Sequence, residues 1–403
     1  MRSEEERDSL GHRVARGTDE GKDHVCRVTP TIGWRVRWTA ARPPAGRLDE
    51  RQNALGDCAL MHPYLRLQLH LRAAGALKAA IELKSSASPT EALPASEPLH
   101  APLLRRVLGK ALIDRFCSFG HPHCEDRPRP PPQGPAATPR PTPRDLCRLA
   151  EACPYGVLFA ASLTPRPPYA MFVPPGEGAG ESARVEITLF GPAWRLYPWA
   201  LGALASALRH GVGKERRSWL VEEVQRIHTD RRPEPLAGGD LARLPPDLAP
   251  DLLNLALEPY LAPQPVTVLF LSPARLLRDG RLLPGREPVP FHLLIARILD
   301  RFAGLYGPEA SEALRPEIRG AIEAEAARVP VIEDDTRWLE VPDYSARSRS
   351  ELLLGGKVGR AVYGDGAARF LPILRAGEIL HAGKNAASGN GRIQVDLPPP
   401  PVP

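Results

Sequence analysis

Near the C-terminus Gly383, Gly389 and Gly391 gather around Lys384 and lead into an alternating run from Arg392 to Asp396. Glycine lets a backbone approach a phosphate closely and present its N–H groups, while Lys384 and Arg392 bring positive charge to the same place. Such a stretch suits a polyanion. It is not a Walker loop, because the Gly-x-x-x-x-Gly-Lys-Ser/Thr order is absent and a strand follows instead of a helix. A plain turn between helix and strand is the competing reading. Two histidines stand beside positive charge: His381, two residues before Gly383, and His100, just ahead of a helix that carries Arg105, Arg106 and Lys110. Imidazole titrates near neutrality, so either ring could exchange a proton at a phosphate that lysine or arginine holds. For His100 the alternative is a surface loop histidine with no role, and for His381 a ring bonded to a nearby carbonyl.

The elements that must position these groups follow from periodicity. Leu65, Leu67, Leu69 and Leu71 alternate with polar residues and mark a strand just after Met61. From Ala101 to Cys117 the apolar positions Leu104, Val107, Leu108, Ala111 and Leu112 define one helical face, and Pro102 suits the first turn. Strands are expected at Gly156 to Ala161 and Arg184 to Phe190, a helix at Ala193 to His210, a basic glycine turn from Gly211 to Arg217, and a strand at Ser218 to Ile227. The order strand, helix, strand, strand, helix, strand then recurs. Val266 to Leu271, Phe291 to Tyr306, strands near Val331 to Val341 and Leu352 to Tyr363, a short helix around Arg369 to Arg375 and the last strand make up the second set. This is the split β-α-β pattern of a ferredoxin-like unit, present twice, so the expected class is α+β with two tandem ferredoxin-like (RRM-like) domains. Their expected bounds are 61–228, with a Pro-rich insertion at 126–144, and 265–396, joined by a linker at 229–264. Residues 1–60 read as a disordered extension, with Met61 a candidate start, and 397–403 as a Pro-rich tail.

A chain of 403 residues has room for two cores, and 47 prolines require linkers or tails beside them. The net charge of +6 is modest but uneven, with Lys357, Arg360, Arg369, Arg375, Lys384 and Arg392 facing only Asp365 and Glu378 over the same stretch. That excess favours an anionic partner, although each charge taken singly could be a solvated surface group. No stretch approaches the roughly 20 apolar residues of a membrane span, and the N-terminus lacks the apolar core of a signal peptide, which points to the cytoplasm. Six cysteines in so long a chain do not form a disulfide scaffold. Cys117, His121, His123, Cys124, Cys147 and Cys153 cluster around the proline-rich linker without a tight Cys-x-x-Cys pair, so partly buried free thiols are favoured over a structural zinc. No metal or cofactor is expected.

Three blocks carry a family resemblance: Leu271-Ser-Pro-Ala-Arg-Leu-Leu-Arg-Asp-Gly-Arg-Leu-Leu283, the run Asp343 to Gly359, and Phe370 to Lys384 running into the glycine loop. In that order they resemble the C-terminal region of the CRISPR-associated endoribonucleases of the RAMP (repeat-associated mysterious protein) superfamily, which process precursor CRISPR RNA. Cys153 to Phe159, Leu189 to Gly191 and Gly211 to Lys214 resemble the family more loosely. The resemblance implies two ferredoxin-like domains with repeat RNA across them, and metal-independent cleavage by a ribose 2′-hydroxyl that leaves a 2′,3′-cyclic phosphate. It implies a histidine near the first helix, here His100, with His381 and Lys110 as further catalytic candidates. Gly383, Lys384, Gly389, Gly391, Arg392, Lys214, Arg216, Arg217, Tyr344 and Arg347 are the RNA-binding candidates, Tyr344 by stacking a base and the arginines, Arg349 among them, by holding phosphates. A plain polar hairpin is the alternative for Tyr344 and its neighbours. The expected partners are repeat RNA and effector-complex subunits. The alternative function is a non-catalytic subunit that holds CRISPR RNA.

Overall fold

The computed structural model describes residues 62–74, 98–117, 153–159, 166–253, 255, 257, 264–307, 310, 314–345 and 350–397. The expected N-terminal extension, the Met61 start, the insertion at 126–144, most of the tail, and His121, His123, Cys124 and Cys147 lie outside the described residues.

Strand β1 (His62–Ala73) is central to the first sheet, and its four alternating leucines are buried as period two requires. Helix α1 (Ala101–Phe116), a short helix α2 (Pro154–Phe159), β2 (Tyr169–Phe172), β3 (Ser182–Phe190), α3 (Tyr197–His210), β4 (Trp219–Ile227), β5 (Pro233–Gly238) and β6 (Asp251–Leu253) follow. Among the described residues the strand order is β2-β3-β1-β4-β5, with β6 pairing the start of β1. The second set comprises β7 (Val266–Ala274), a small β8–β9 hairpin (Leu277–Arg278 and Arg281–Leu282), α4 (Phe291–Tyr306), α5 (Pro316–Ala326), β10 (Val331–Asp334), β11 (Arg337–Leu339), β12 (Pro342–Ser345), β13 (Ser350–Leu353), β14 (Gly356–Tyr363), α6 (Leu371–Leu380) and β15 (Ile393–Asp396). Its order is β10-β14-β7-β15, with β11 on β14, while β12 and β13 form a hairpin of their own. Both sheets are antiparallel with the βαββαβ connectivity of a ferredoxin-like unit, so the expected class is the observed one.

Three local expectations change. Gly156–Ala161 is not a strand: its first residues belong to α2, because six apolar residues read equally well as strand or helix until their neighbours are known. The segment expected as a linker supplies β5 and β6 to the first sheet. The first helical turn of the Ala193 helix is 3-10, and α3 proper begins at Tyr197.

On one face of the first sheet the β1 and β3 apolar residues pack with Leu104, Leu108 and Leu112 of α1 and the apolar side of α3. On the other face Tyr64, Ala170 and Phe190 join the core of the second unit. Across this seam the His62 ring meets Phe302 edge-on at 4.7 Å, and the Tyr306 hydroxyl donates to the Pro63 carbonyl at 3.2 Å. Buried Arg301 on α4 donates to the carbonyls of Leu380 (2.6 Å) and Tyr169 (3.2 Å), one from each unit. Burial, then the Arg166 charge, pulls its pKa down to about 9. Among the described residues no helix is long and apolar enough to cross a membrane.

Candidate nucleic-acid interface and cleavage site

Helix α6 ends at His381, whose φ of 64° turns the chain into the glycine loop. The loop doubles back tightly. Ala382 donates to Gly391 O at 2.7 Å, and a Cβ on Gly391 would lie 2.0 Å from Ala382 O. On one side Lys384 N donates to Arg275 O and Gly391 N to Pro273 O. On the other, Gly389 (φ 92°) packs so closely on α1 that an added Cβ would lie 2.4 Å from the Ala101 Cβ. Ala101 is the residue after His100, so this loop docks at the first turn of the helix that His100 caps. The glycines are therefore needed for backbone packing, Gly383 likewise facing Arg275 O at 2.6 Å, a requirement separate from the expected phosphate approach. Lys384 is the exposed basic side chain of this loop.

Arg392 does not match its expected role as a phosphate contact. It is buried, donates to Glu378 O at 2.5 Å and Ile393 O at 2.7 Å, and lies 3.6 Å from the Glu186 carboxylate that Arg66 also holds at 2.7 Å. Burial, then Arg66, lowers its pKa to about 10. Glu378 accepts from Arg375 and Arg231 as well, and Arg231 reaches the Val395 carbonyl at 2.7 Å. These residues fasten the last strand to the seam. His381 is also buried, its Nδ1 3.0 Å from Asn390 O, where the ring N–H donates. Burial, then Arg392 and Arg301, holds its pKa well below the usual imidazole value, so it is a neutral structural ring and not a proton carrier at the surface. Asn390 in turn donates to Leu354 O at 2.7 Å, tying the loop to the end of β13.

Much of the basic excess read from the sequence is paired within the protein, some of it buried and some at the surface. Lys357 is buried and donates to Gly285 O and Glu287 O, with its pKa lowered by burial. Arg360 pairs with Glu333 at 2.6 Å, and Arg369 with Glu325 at 2.6 Å.

His100 has extended backbone and caps α1 by accepting the Leu103 amide on Nδ1 at 3.3 Å, in a first turn without acidic residues. With Nδ1 accepting, the network assigns the ring proton to Nε2; a ring that gains a proton has N–H at both nitrogens and gives up the cap. Lys110 is not brought to this point. It lies ten residues along α1, about 15 Å at 1.5 Å per residue, and is held by Asp114 at 2.9 Å. Behind His100, the β2–β3 connection abuts the chain: Leu99 N donates to Glu177 O at 3.2 Å, and a Gly178 Cβ would meet Leu99 N at 2.9 Å. Arg217 donates to Gly178 O (3.0 Å) and Gly180 O (2.7 Å) and covers the Trp219 ring. Lys214 and Arg216 are exposed on the same turn. Sequence reasoning missed this connection, whose one local signal is its three glycines at 176, 178 and 180. Arg106 pairs with Asp343 on β12, linking α1 to the β12–β13 hairpin. Tyr344 lies on β12 opposite Glu351, and Arg347 and Arg349 lie outside the described residues. The structure thus docks the Lys384 loop, through Gly389, on the first turn of α1 beside His100, and links the turn that carries Lys214 and Arg216 to Leu99 through Arg217 and the β2–β3 connection, while His381 and Arg392 are buried and Lys110 lies farther along the helix.

Residues 268–393 match the family model described as the CRISPR-associated endoribonuclease Cas6, and residues 137–246 match one described as an N-terminal domain. A search of curated proteins found none that matches. Solved structures that resemble the chain include Thermus thermophilus Cas6, at 15% identity and TM-score 0.42 over 83% of this chain and 98% of that one. A Cas6 substrate mimic complex aligns at 18% identity and TM-score 0.40, covering 83% and 99%, and a partial Cas6-RT-Cas1–Cas2 complex at 12% and 0.42, covering 84% and 46%. The expected resemblance to CRISPR-associated RNA-processing endoribonucleases is borne out by the match of the Cas6 family model to residues 268–393, a stretch that includes the glycine loop.

Proposed function

We propose that this chain is a cytoplasmic endoribonuclease that cuts CRISPR repeat RNA in a precursor transcript. The observation that carries the reading is the docking of Gly389 on Ala101, which sets the Cas6-family loop bearing Lys384 against the helix cap at His100. The N-terminal end of a helix of this length, with no acid in its first turn, attracts a phosphate, and the exposed Lys384, Lys214 and Arg216 add positive charge for the RNA backbone.

The chemistry suited to a histidine and a lysine at a phosphate is transfer within the RNA. The ribose 2′-oxygen bonds to phosphorus while the bond from phosphorus to the 5′-oxygen breaks. The 2′-hydroxyl proton leaves to a base, and the 5′-oxygen receives one from an acid; His100 fills one of these roles and water the other, while Lys384 balances charge on the phosphorane. The ends left are a 2′,3′-cyclic phosphate and a 5′-hydroxyl. No divalent ion enters this scheme.

The test is single-turnover cleavage of repeat RNA with excess protein in chelator. One cut with a cyclic phosphate end is expected, and His100→Ala should slow it by about 10²- to 10⁴-fold. Cleavage that needs added magnesium would overturn the mechanism, and tight binding without any cut would make the chain a CRISPR RNA-holding subunit instead.

A further inference from the structure

Arg217 is joined to His100 by an unbroken chain of short contacts. Its guanidinium holds the Gly178 and Gly180 carbonyls of the β2–β3 connection. That connection accepts the Leu99 amide through Glu177 O and has Gly178 lying against Leu99 with no space for a Cβ. Leu99 is buried and precedes His100, and His100 caps α1 through the Leu103 amide. A two-pronged guanidinium fits two adjacent carbonyls as a lysine ammonium does not, and charged hydrogen bonds of this kind are the stronger ones. Its own platform is fixed, because Arg217 stacks over Trp219, a fully buried ring at the start of β4, and its backbone bridges to Val212.

We propose that Arg217 is a positioning residue: it clamps the glycine-bearing β2–β3 connection against Leu99 and so fixes the His100 imidazole at the end of α1. This rests on the reading of His100 above, and it replaces the expectation that Arg217 contacts phosphate. Gly178 acts in the same clamp from the opposite side.

Two measurements on the full chain separate the possibilities. In the first, amide exchange is followed at Leu99 and Leu103 in Arg217→Ala, with Leu69 in the β1 core as the reference. Exchange at Leu99 and Leu103 should quicken by about ten-fold or more while Leu69 changes less; equal changes at all three, or none, overturn the clamp whatever His100 does in catalysis. In the second, single-turnover cleavage and RNA affinity are compared for Arg217→Ala, Arg217→Lys, Gly178→Ala, His100→Ala and the Arg217→Ala/His100→Ala pair. A misplaced ring should cost about 10²-fold in rate with affinity and its salt slope unchanged. Gly178→Ala should reproduce the loss, Arg217→Lys should restore little of it, and the double variant should be no slower than His100→Ala alone. If Arg217→Ala instead weakens binding and Arg217→Lys restores it, Arg217 is a phosphate contact and the proposal fails. If its loss adds fully to that of His100, the two act independently and the proposal fails as well. A normal rate in His100→Ala would count against the reading of His100 and leave the exchange result to judge the clamp.

Discussion

Gly389→Ala probes the join on which the site depends. The new methyl would start 2.4 Å from the Ala101 Cβ, at a φ of 92° that disfavours any side chain. Carbon atoms in contact sit about 3.5 to 4 Å apart, so the loop and the first turn of α1 must separate by about 1 Å. The left-handed backbone adds about 1–2 kcal/mol of strain, and a stability loss of about 1–3 kcal/mol is the expected total. A shift of about 1 Å between catalytic groups costs about 10²-fold in rate. The assay is single-turnover cleavage of repeat RNA at saturating protein, below the melting temperature of each variant. Gly202→Ala serves as the control, since nothing lies within 4 Å of its added Cβ and it sits inside α3. Gly389→Ala should melt lower and cleave about 10²-fold more slowly. A variant that melts lower yet cleaves at the parent rate would refute the claim that loop docking sets the site.

Lys384→Ala should weaken repeat RNA binding and flatten the dependence of log affinity on log salt by about 0.7, the share of one phosphate contact on a single strand; an unchanged slope would leave the loop a connector. His62 is packed between Phe302 and Tyr306, and burial lowers its pKa to about 4. The unfolded chain therefore binds a proton below about pH 6.5 that the folded chain refuses, so His62 contributes a loss of stability as pH falls from about 6.5 to about 4, approaching about 3 kcal/mol. Denaturant melts should fall with acid more steeply for the parent than for His62→Gln, and parallel curves would contradict the buried neutral ring.

Much of the architecture was legible because it is written in local periodicity. The leucines of β1, the apolar face of α1 and the two βαββαβ runs need only neighbours in sequence to be seen. The site was legible in part for the same reason: His100 lies at a helix start marked by Pro102, and Lys384 in a loop marked by glycines. What failed was any inference that depends on a neighbour distant in the chain. Arg392 and Glu186 are distant in the chain, and nothing beside Arg392 reveals that carbonyls and a carboxylate enclose it. Lys357 reads as a surface base until Gly285 and Glu287 are placed over it. The six apolar residues of α2 lack the length that separates helix from strand. Glycine itself is ambiguous, since the freedom that would admit a phosphate also admits Ala101 and Ala382.

The central claim is that the RNA supplies its own nucleophile, with His100 and Lys384 placed around the phosphate. It is tested most directly with repeat RNA carrying a single 2′-deoxyribose immediately upstream of the cut, compared with all-ribose RNA for binding and for cleavage at saturating protein. The deoxy RNA should bind with the same affinity and remain uncut, with or without magnesium. Cleavage of the deoxy RNA at the same bond would mean that water or a protein group attacks, and would contradict the account.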